Sequence, residues 1–194
     1  MKNTNLVAIV LVSFCIGFVC GAVYSSLKLE PGIKTEHGSV QKDADKSAEN
    51  SGRIFRLEQY LLKNPEDADA WASLGNMFFD SDRVKDAIHA YEKSLALNPA
   101  QVHVITDLGI MYRRNNQPSR AVEAFDRAIA IDPSFESARF NKGVVLLHDL
   151  NDIDGCIRAW EQLVKVNPLA TAPDGHSVDA LVQDMKKRRK KGKS

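Results

Sequence analysis

Three patterns of apolar and polar positions follow one another along the chain. From Leu6 to Tyr24 the sequence LVAIVLVSFCIGFVCGAVY carries no charge over nineteen residues. As a helix such a run is about 28 Å long, close to the ~30 Å hydrocarbon layer of a bilayer. Residues 30–52 hold two large aliphatic side chains, Ile33 and Val40, too few to offset the entropy of ordering the segment. From residue 53 onward apolar side chains return at spacings of three and four, the periodicity of helices that bury one face. The pattern predicts a transmembrane anchor in residues 1–29 (span 6–24), a disordered tether over 30–52 with a reach of roughly 25–30 Å, and an all-α domain over 53–185. A cleaved signal peptide is the rival for the first segment. Its apolar region is usually about 7–15 residues and ends at a small-x-small site, whereas this run is longer and continues through Val23, Tyr24 and Ser25.

The helical part repeats itself. Asn64-Pro65, Asn98-Pro99, Asp132-Pro133 and Asn167-Pro168 recur at intervals of 34, 34 and 35 residues. Twelve residues before each of the last three prolines stands a small residue (Ala87, Ala121, Cys156), and eight before each an aromatic one (Tyr91, Phe125, Trp160). Being four apart, these two positions share a helical face; the small residue admits a neighbouring helix and the aromatic fills the space beside it. Nearer the prolines lie Leu95 and Leu97, Ile129 and Ile131, Val164 and Val166. Each proline ends its helix, because it lacks an N–H and turns the preceding residue away from helical geometry. Upstream in the first unit, Trp71, Leu74, Gly75 and Phe78 read W-x2-L-G-x2-F, and Leu108, Gly109 and Tyr112 repeat this with Ile105 in the Trp place. The third unit departs: Arg139 and Lys142 replace the Trp and the Leu, Gly143 and Leu146 remain, and one extra residue precedes Cys156.

This arrangement resembles the tetratricopeptide repeat, W-x2-L-G-x2-Y followed by A-x3-F and a closing Pro, over about residues 53–168. The resemblance implies a right-handed superhelical stack of antiparallel helix pairs, with repeats at 67–100, 101–134 and 135–168. A half-repeat at 53–65 and a helix at 177–190, in which Val178, Leu181, Val182 and Met185 fall at i, i+3, i+4 and i+7, would cap the two ends. Each repeat holds too little core to stand alone and must bury its stripe on its neighbours.

Charge refines the picture. The formal net charge is +1, but seven positive side chains fall within the basic tail 186–194, which leaves residues 1–185 at about −6. Anionic lipid is the partner such a tail suggests; nucleic acid is not an expected partner of a nearly neutral chain. Counting Lys and Arg alone slightly favours keeping the carboxyl side of the span inside. Lys2 ahead of an apolar run looks instead like a bacterial-type signal-anchor, so the main domain is expected to be periplasmic or extracytoplasmic.

Catalytic chemistry is not in evidence. His37, His89, His103, His148 and His176 show no metal-ligand spacing among themselves or with Cys156, and no phosphate-binding glycine loop or hydrolase motif occurs. Cys156 occupies a packing position and is expected to be an inert buried thiol. The chain is therefore read as a non-enzyme with no cofactor and no metal, whose function lies in a surface. The family resemblance implies a concave groove lined by the first helix of each pair. Taking each signature glycine as reference, the stripe reads Ala72, Asn76 and Phe79, then Thr106, Ile110 and Arg113, then Phe140, Val144 and Leu147, with Arg114 beside it. Asn76, Phe79, Thr106, Ile110, Arg113, Arg114, Phe140, Val144 and Leu147 are thus the candidate residues for holding a protein or peptide ligand, with an apolar trough and a basic rim. One branch of the family clamps a Glu-Glu-Val-Asp carboxyl terminus; Asn76 matches one clamp position, but Ala72 stands where a Lys and Asp107 where an Asn would be, so that role is not supported. The expected function is a membrane-anchored scaffold. One alternative is an assembly factor presenting apocytochrome c or another exported client; another is an electrostatic binder of anionic lipid or nucleic acid acting through its basic tail, with the repeats as spacer.

Overall fold

The computed structural model describes the backbone of residues 37–191 and the side chains of 49–191. The expected membrane span 6–24 lies outside the described residues. Residues Ser47–Ser194 form one compact unit; of the other, Met1–Lys46, the helical backbone from His37 is described.

Eight helices and no strands make up the described residues: α1 (His37–Lys63), α2 (Ala68–Asp80), α3 (Val84–Leu97), α4 (Val102–Arg114), α5 (Pro118–Ile131), α6 (Glu136–His148), α7 (Ile153–Val166) and α8 (Val178–Lys191). The pairs α2–α3, α4–α5 and α6–α7 are the three expected repeats. Each second helix packs against the first helix of the next pair, and α8 closes the stack on α7. The helices of a pair are joined by short loops at 81–83, 115–117 and 149–152, which force them antiparallel. The extra residue of the third unit is absorbed in the last of these loops.

A backbone device repeats at every such loop. Asp82, Asn116 and Asn151 adopt left-handed conformations with φ of 53°, 57° and 53°. The following N–H then reaches back over the helix end, from Arg83 to Phe78 O (2.9 Å), Gln117 to Tyr112 O (2.8 Å) and Asp152 to Leu146 O (2.7 Å). This satisfies carbonyls that the helix leaves without partners, and Asn and Asp tolerate the conformation better than other side chains that carry a Cβ. At the far end of each pair Asn98, Asp132 and Asn167 are extended, with ψ of 95°, 97° and 100°, as a residue before proline must be.

The core is built on one contact used three times. Each signature glycine of a first helix faces the aromatic of its partner helix. A Cβ added at Gly75 would lie 2.4 Å from the Tyr91 ring, at Gly109 2.6 Å from Phe125, and at Gly143 2.1 Å from Trp160. Ala87, Ala121 and Cys156 are fully buried one turn earlier on the second helices. The third pair therefore keeps the geometry of the others despite Arg139 and Lys142. Lys142 turns outward to pair with Asp126, and Arg139 donates to the carbonyl of Pro133. Trp71 does the same six residues after its own proline, its indole N–H donating to Pro65 O at 2.9 Å; the charged residue thus keeps the hydrogen bond of the aromatic it replaces. Between the first two repeats Tyr112 donates to Glu92 (2.7 Å), while Arg120 bonds both and lies 4.0 Å over the Tyr112 ring.

One expected boundary differs from the structure. The segment read as a disordered tether is helical from His37, continuous with the half-repeat cap in which Ile54 and Leu61 are buried. Its Ala, Lys, Gln and Glu residues favour helix locally, a tendency that low apolar content conceals. The helix expected at 177–190 runs from Val178 to Lys191 and takes in most of the basic tail. That part of α8 is held by Lys186 to Glu161 (2.5 Å), Arg188 to Asp184 (2.6 Å) and Arg189 to Asp154.

The glycine contact makes a signed prediction. In an ordinary helix Gly→Ala stabilises by about 1 kcal/mol. In Gly109→Ala the new methyl would press on a fully buried Phe125 ring, and overpacking costs about 1–3 kcal/mol. Urea unfolding should show Gly109→Ala less stable than wild type, with a smaller loss, or a gain, in a Phe125→Leu background. Equal effects in both backgrounds would show that the contact does not govern the pair.

Candidate interaction groove

The face built by the first helices α2, α4 and α6 is the inner one: α4 touches α6 directly, whereas the second helices of those pairs are not in such contact. The sequence-derived stripe falls on these three helices, but its character differs from the open apolar trough expected. None of Phe79, Ile110, Phe140, Val144 and Leu147 is fully exposed; each is half-buried against a neighbouring core cluster. Phe140 stacks on Trp160 with ring centroids 5.6 Å apart, and the indole N–H of Trp160 donates to Phe140 O at 3.1 Å. Thr106 is buried at 3% exposure and its hydroxyl donates to Val102 O at 2.9 Å, so it offers nothing to a ligand. Asn76 is exposed and its amide oxygen accepts from the Tyr91 hydroxyl at 2.8 Å, which leaves its N–H donors free.

The basic rim is spoken for. Arg113 pairs with Asp149 at 2.5 Å, joining α4 to the loop after α6. Arg114 reaches Asp82 at 3.5 Å and lays its guanidinium 4.6 Å over the Phe79 ring, joining α4 to the loop after α2. These contacts brace neighbouring repeats, and the two cations expected to meet an acidic partner are already compensated.

What the rim lacks in free positive charge, the groove supplies as negative. Asp107 on α4 is half-buried, and among the described residues it accepts no hydrogen bond and joins no ion pair. Burial pushes its carboxyl above the ordinary value; the nearby Asp80 carboxylate pushes the same way and His103 opposes it. Burial, then Asp107 and Asp80, also raise Tyr91, which keeps its hydroxyl a neutral donor to Asn76. Sequence reasoning noted Asp107 only as a departure from a peptide clamp; its partner Asp80 carries no signal in the repeat pattern.

Away from the groove, a surface pocket of about 640 Å³ opens between α1, α2 and α3, over Trp71, Leu74 and Phe78. Beside it Leu62 is 75% exposed, and Phe55 is exposed on the same helix. The apolar row Leu97, Ile131 and Val166, two residues before each proline, also reaches solvent, whereas Leu95, two residues earlier, is buried. Cys156 is buried, and burial with the Asp152 carboxylate nearby pushes its thiol up to about 11, which suits a packing group. No group of three or more His, Cys, Asp or Glu suited to a metal ion occurs among the described residues.

The architecture is thus a helical-hairpin solenoid with an inner face of first helices. Tetratricopeptide-repeat profiles match residues 68–101 and 106–155. The chain is a tetratricopeptide-repeat protein. Among solved structures it is similar to MamA, with a TM-score of 0.60 and 22% identity over 65% of this chain and 73% of that one. A MamA RS-1 double mutant gives 0.58 and 16%, covering 64% and 69%. The first such domain of Spaghetti (RPAP3), bound to the HSP90 peptide SRMEEVD, gives 0.54 and 17%, covering 62% and 91%. At these identities the likeness is one of fold. Comparison with curated proteins gives no match.

Asp107 allows a test by pH. A carboxyl whose folded pKa lies above its unfolded value favours folding while protonated and loses that contribution as pH rises through the folded value. Asp107→Asn should therefore raise the thermal midpoint at pH 7, by up to about 2–4 °C if ~1 kcal/mol is relieved in a chain of this size. The difference should close as pH falls below the ordinary carboxylate value of about 3.9. A variant less stable than wild type at pH 7 would show that Asp107 has a partner there.

Proposed function

We propose that this protein is a membrane-tethered scaffold that holds a protein or peptide partner against the inner face of α2, α4 and α6. The observation that carries the reading is the combination on that face of half-buried apolar side chains with the exposed amide of Asn76, whose oxygen is taken by Tyr91 and whose N–H donors are free. Phe79, Ile110, Phe140 and Val144 would supply apolar contact, while Asn76 can donate to a backbone carbonyl. The stacked pairs are preformed, so binding needs little backbone change. Arg113 and Arg114 belong to the scaffold's bracing rather than to ligand capture. A similar fold that engages an extended peptide, the RPAP3 domain with SRMEEVD, supports the class of partner and not its sequence. Presentation of an exported client such as apocytochrome c remains a narrower form of the same proposal.

Tethering rests on the apolar run 6–24 alone; no helix among the described residues is long and apolar enough to cross a membrane. With the run as an uncleaved signal-anchor, the repeats would lie on the periplasmic or extracytoplasmic side. The tail reading weakens in this setting, because Lys186, Arg188 and Arg189 are already paired within the domain; anionic lipid would be a secondary contact.

Two measurements test these statements. A photo-crosslinking amino acid placed at Asn76, Ile110 or Asn141 should capture the same partner in cells, whereas placement at Glu123 or Arg158 on second helices should not; capture confined to the second helices would move the site. For the tether, the full chain should stay in the membrane pellet after alkaline wash, because the Leu, Ile, Val and Phe residues of the run each favour insertion by about 0.3–0.6 kcal/mol near the bilayer centre. Release as a form beginning near residue 25 would identify a cleaved signal instead.

A further inference from the structure

We infer that the cleft between α1, α2 and α3 is a second docking site, for a partner segment that inserts a Lys or Arg side chain flanked by apolar residues, and that Glu58 receives the charge. The cleft lies away from the inner face, so the inference stands or falls apart from the groove reading above. The argument comes from the repeat itself. The space between successive second helices, over the first helix that separates them, occurs three times, with α1 in the place of a second helix. An acidic residue of the earlier helix stands at the same position in each: Glu58, Glu92 and Asp126, spaced 34 residues apart. In the second occurrence Glu92 accepts from the Tyr112 hydroxyl at 2.7 Å and from Arg120 at 3.0 Å, and the Arg120 guanidinium lies 4.0 Å over the Tyr112 ring. The chain's own arginine answers the acid there. In the third, Asp126 pairs with Lys142, and both line a cavity of about 350 Å³. In the first, the positions of Arg120 and Lys142 are held by Asp86 and Leu74. About 640 Å³ stays open over Trp71, Leu74 and Phe78. Glu58 lines this cleft and, among the described residues, accepts no hydrogen bond and joins no ion pair.

The basic side chains already at the cleft do not answer Glu58. Arg83 is held at the start of α3, by Asp86 at 2.7 Å and by the Phe78 ring, 4.3 Å below its guanidinium. His89 lies edge-on to Trp71, with ring centroids 6.3 Å apart. What remains is an apolar and aromatic floor with an unpaired carboxylate on its α1 side. Leu62, 75% exposed, and Pro65 extend the apolar wall. A Lys or Arg side chain suits such a surface. Its methylenes lie on apolar groups, its charge meets the carboxylate, and an aromatic ring adds a cation–π contribution. An acidic segment would be repelled by Glu58. A wholly apolar one would cover that carboxylate without pairing it, at a desolvation cost.

The test uses the full chain in detergent micelles, labelled with nitrogen-15, and three amidated tripeptides: acetyl-Leu-Arg-Leu, acetyl-Leu-Gln-Leu and acetyl-Leu-Glu-Leu. The two tryptophans report separately through their indole N–H signals in NMR spectra, since Trp71 lines the cleft and Trp160 is buried in the third repeat. The arginine peptide should shift the Trp71 signal saturably and bind about fivefold more tightly than the glutamine peptide, as for a partly exposed ion pair beside a ring. The glutamate peptide should bind weakest. In Glu58→Gln the arginine and glutamine peptides should bind alike, whereas Leu62→Ser should weaken all three. Both positions are exposed, so the variants remain folded, which an unchanged Trp160 signal verifies. Equal binding of the three peptides, or an arginine preference that survives Glu58→Gln, would leave an apolar cleft without its cationic partner and overturn the inference. A Trp71 signal that no peptide moves, or binding indifferent to Leu62→Ser, would remove the docking site altogether.

Discussion

The absence of a side chain at three positions holds this structure together. Gly75, Gly109 and Gly143 leave room for Tyr91, Phe125 and Trp160 to lie directly on the backbone of the partner helix. Two helices so close must turn sharply into each other, and the left-handed residues Asp82, Asn116 and Asn151 provide the turn. The aromatic rings thus fix the distance between the two helices of each pair. Changing one ring or one glycine would alter a spacing that is used again by the following repeat. Stability in such a stack is a sum of local pairs and nearest-neighbour interfaces, so the same small contact recurs in the local term of every repeat.

That economy explains why most of the fold was legible before any coordinates. Proline pairs 34 or 35 residues apart mark helix ends, and an alanine four before an aromatic marks a packing face; both are local rules with steric causes. The capping helix followed from four apolar residues at helical spacing, and it forms from Val178. Even the irregular third repeat obeys, because Arg139 replaces a tryptophan's hydrogen bond and Lys142 finds Asp126. The tether is the segment whose expected character differs from the structure. It was judged by its low apolar content, whereas helix formation in a polar segment depends on backbone propensity.

The groove was legible in position but not in character. Spacing from the signature glycine put Asn76, Ile110, Phe140 and Val144 on the first helices of the pairs, which is where they lie. Spacing could not say that Thr106 would turn its hydroxyl onto Val102 O, or that Phe140 would lean on Trp160. Nor could it say that Arg113 and Arg114 would be drawn to Asp149 and Asp82, residues of loops from two other repeats. Long side chains at a repeat boundary respond to whatever charge the neighbouring loop presents, and that neighbour is set by stacking rather than by sequence distance.

This redistribution of charge is what distinguishes the site from an acid-binding clamp. A clamp keeps its cations free and aimed at the ligand. Here the cations serve the joints between repeats, and the free charge of the groove is negative, centred on the half-buried Asp107. Exposed pairs such as Arg114 with Asp82 contribute little to stability, typically about 0–1 kcal/mol, so their consequence is mainly electrostatic: they remove positive potential from one rim. An unpaired, partly desolvated carboxylate is retained beside a second one at a cost to folding. Within a solenoid whose helices are otherwise closely packed and whose carboxyl-terminal cap is tied by ion pairs, that residue is a charge that burial disfavours.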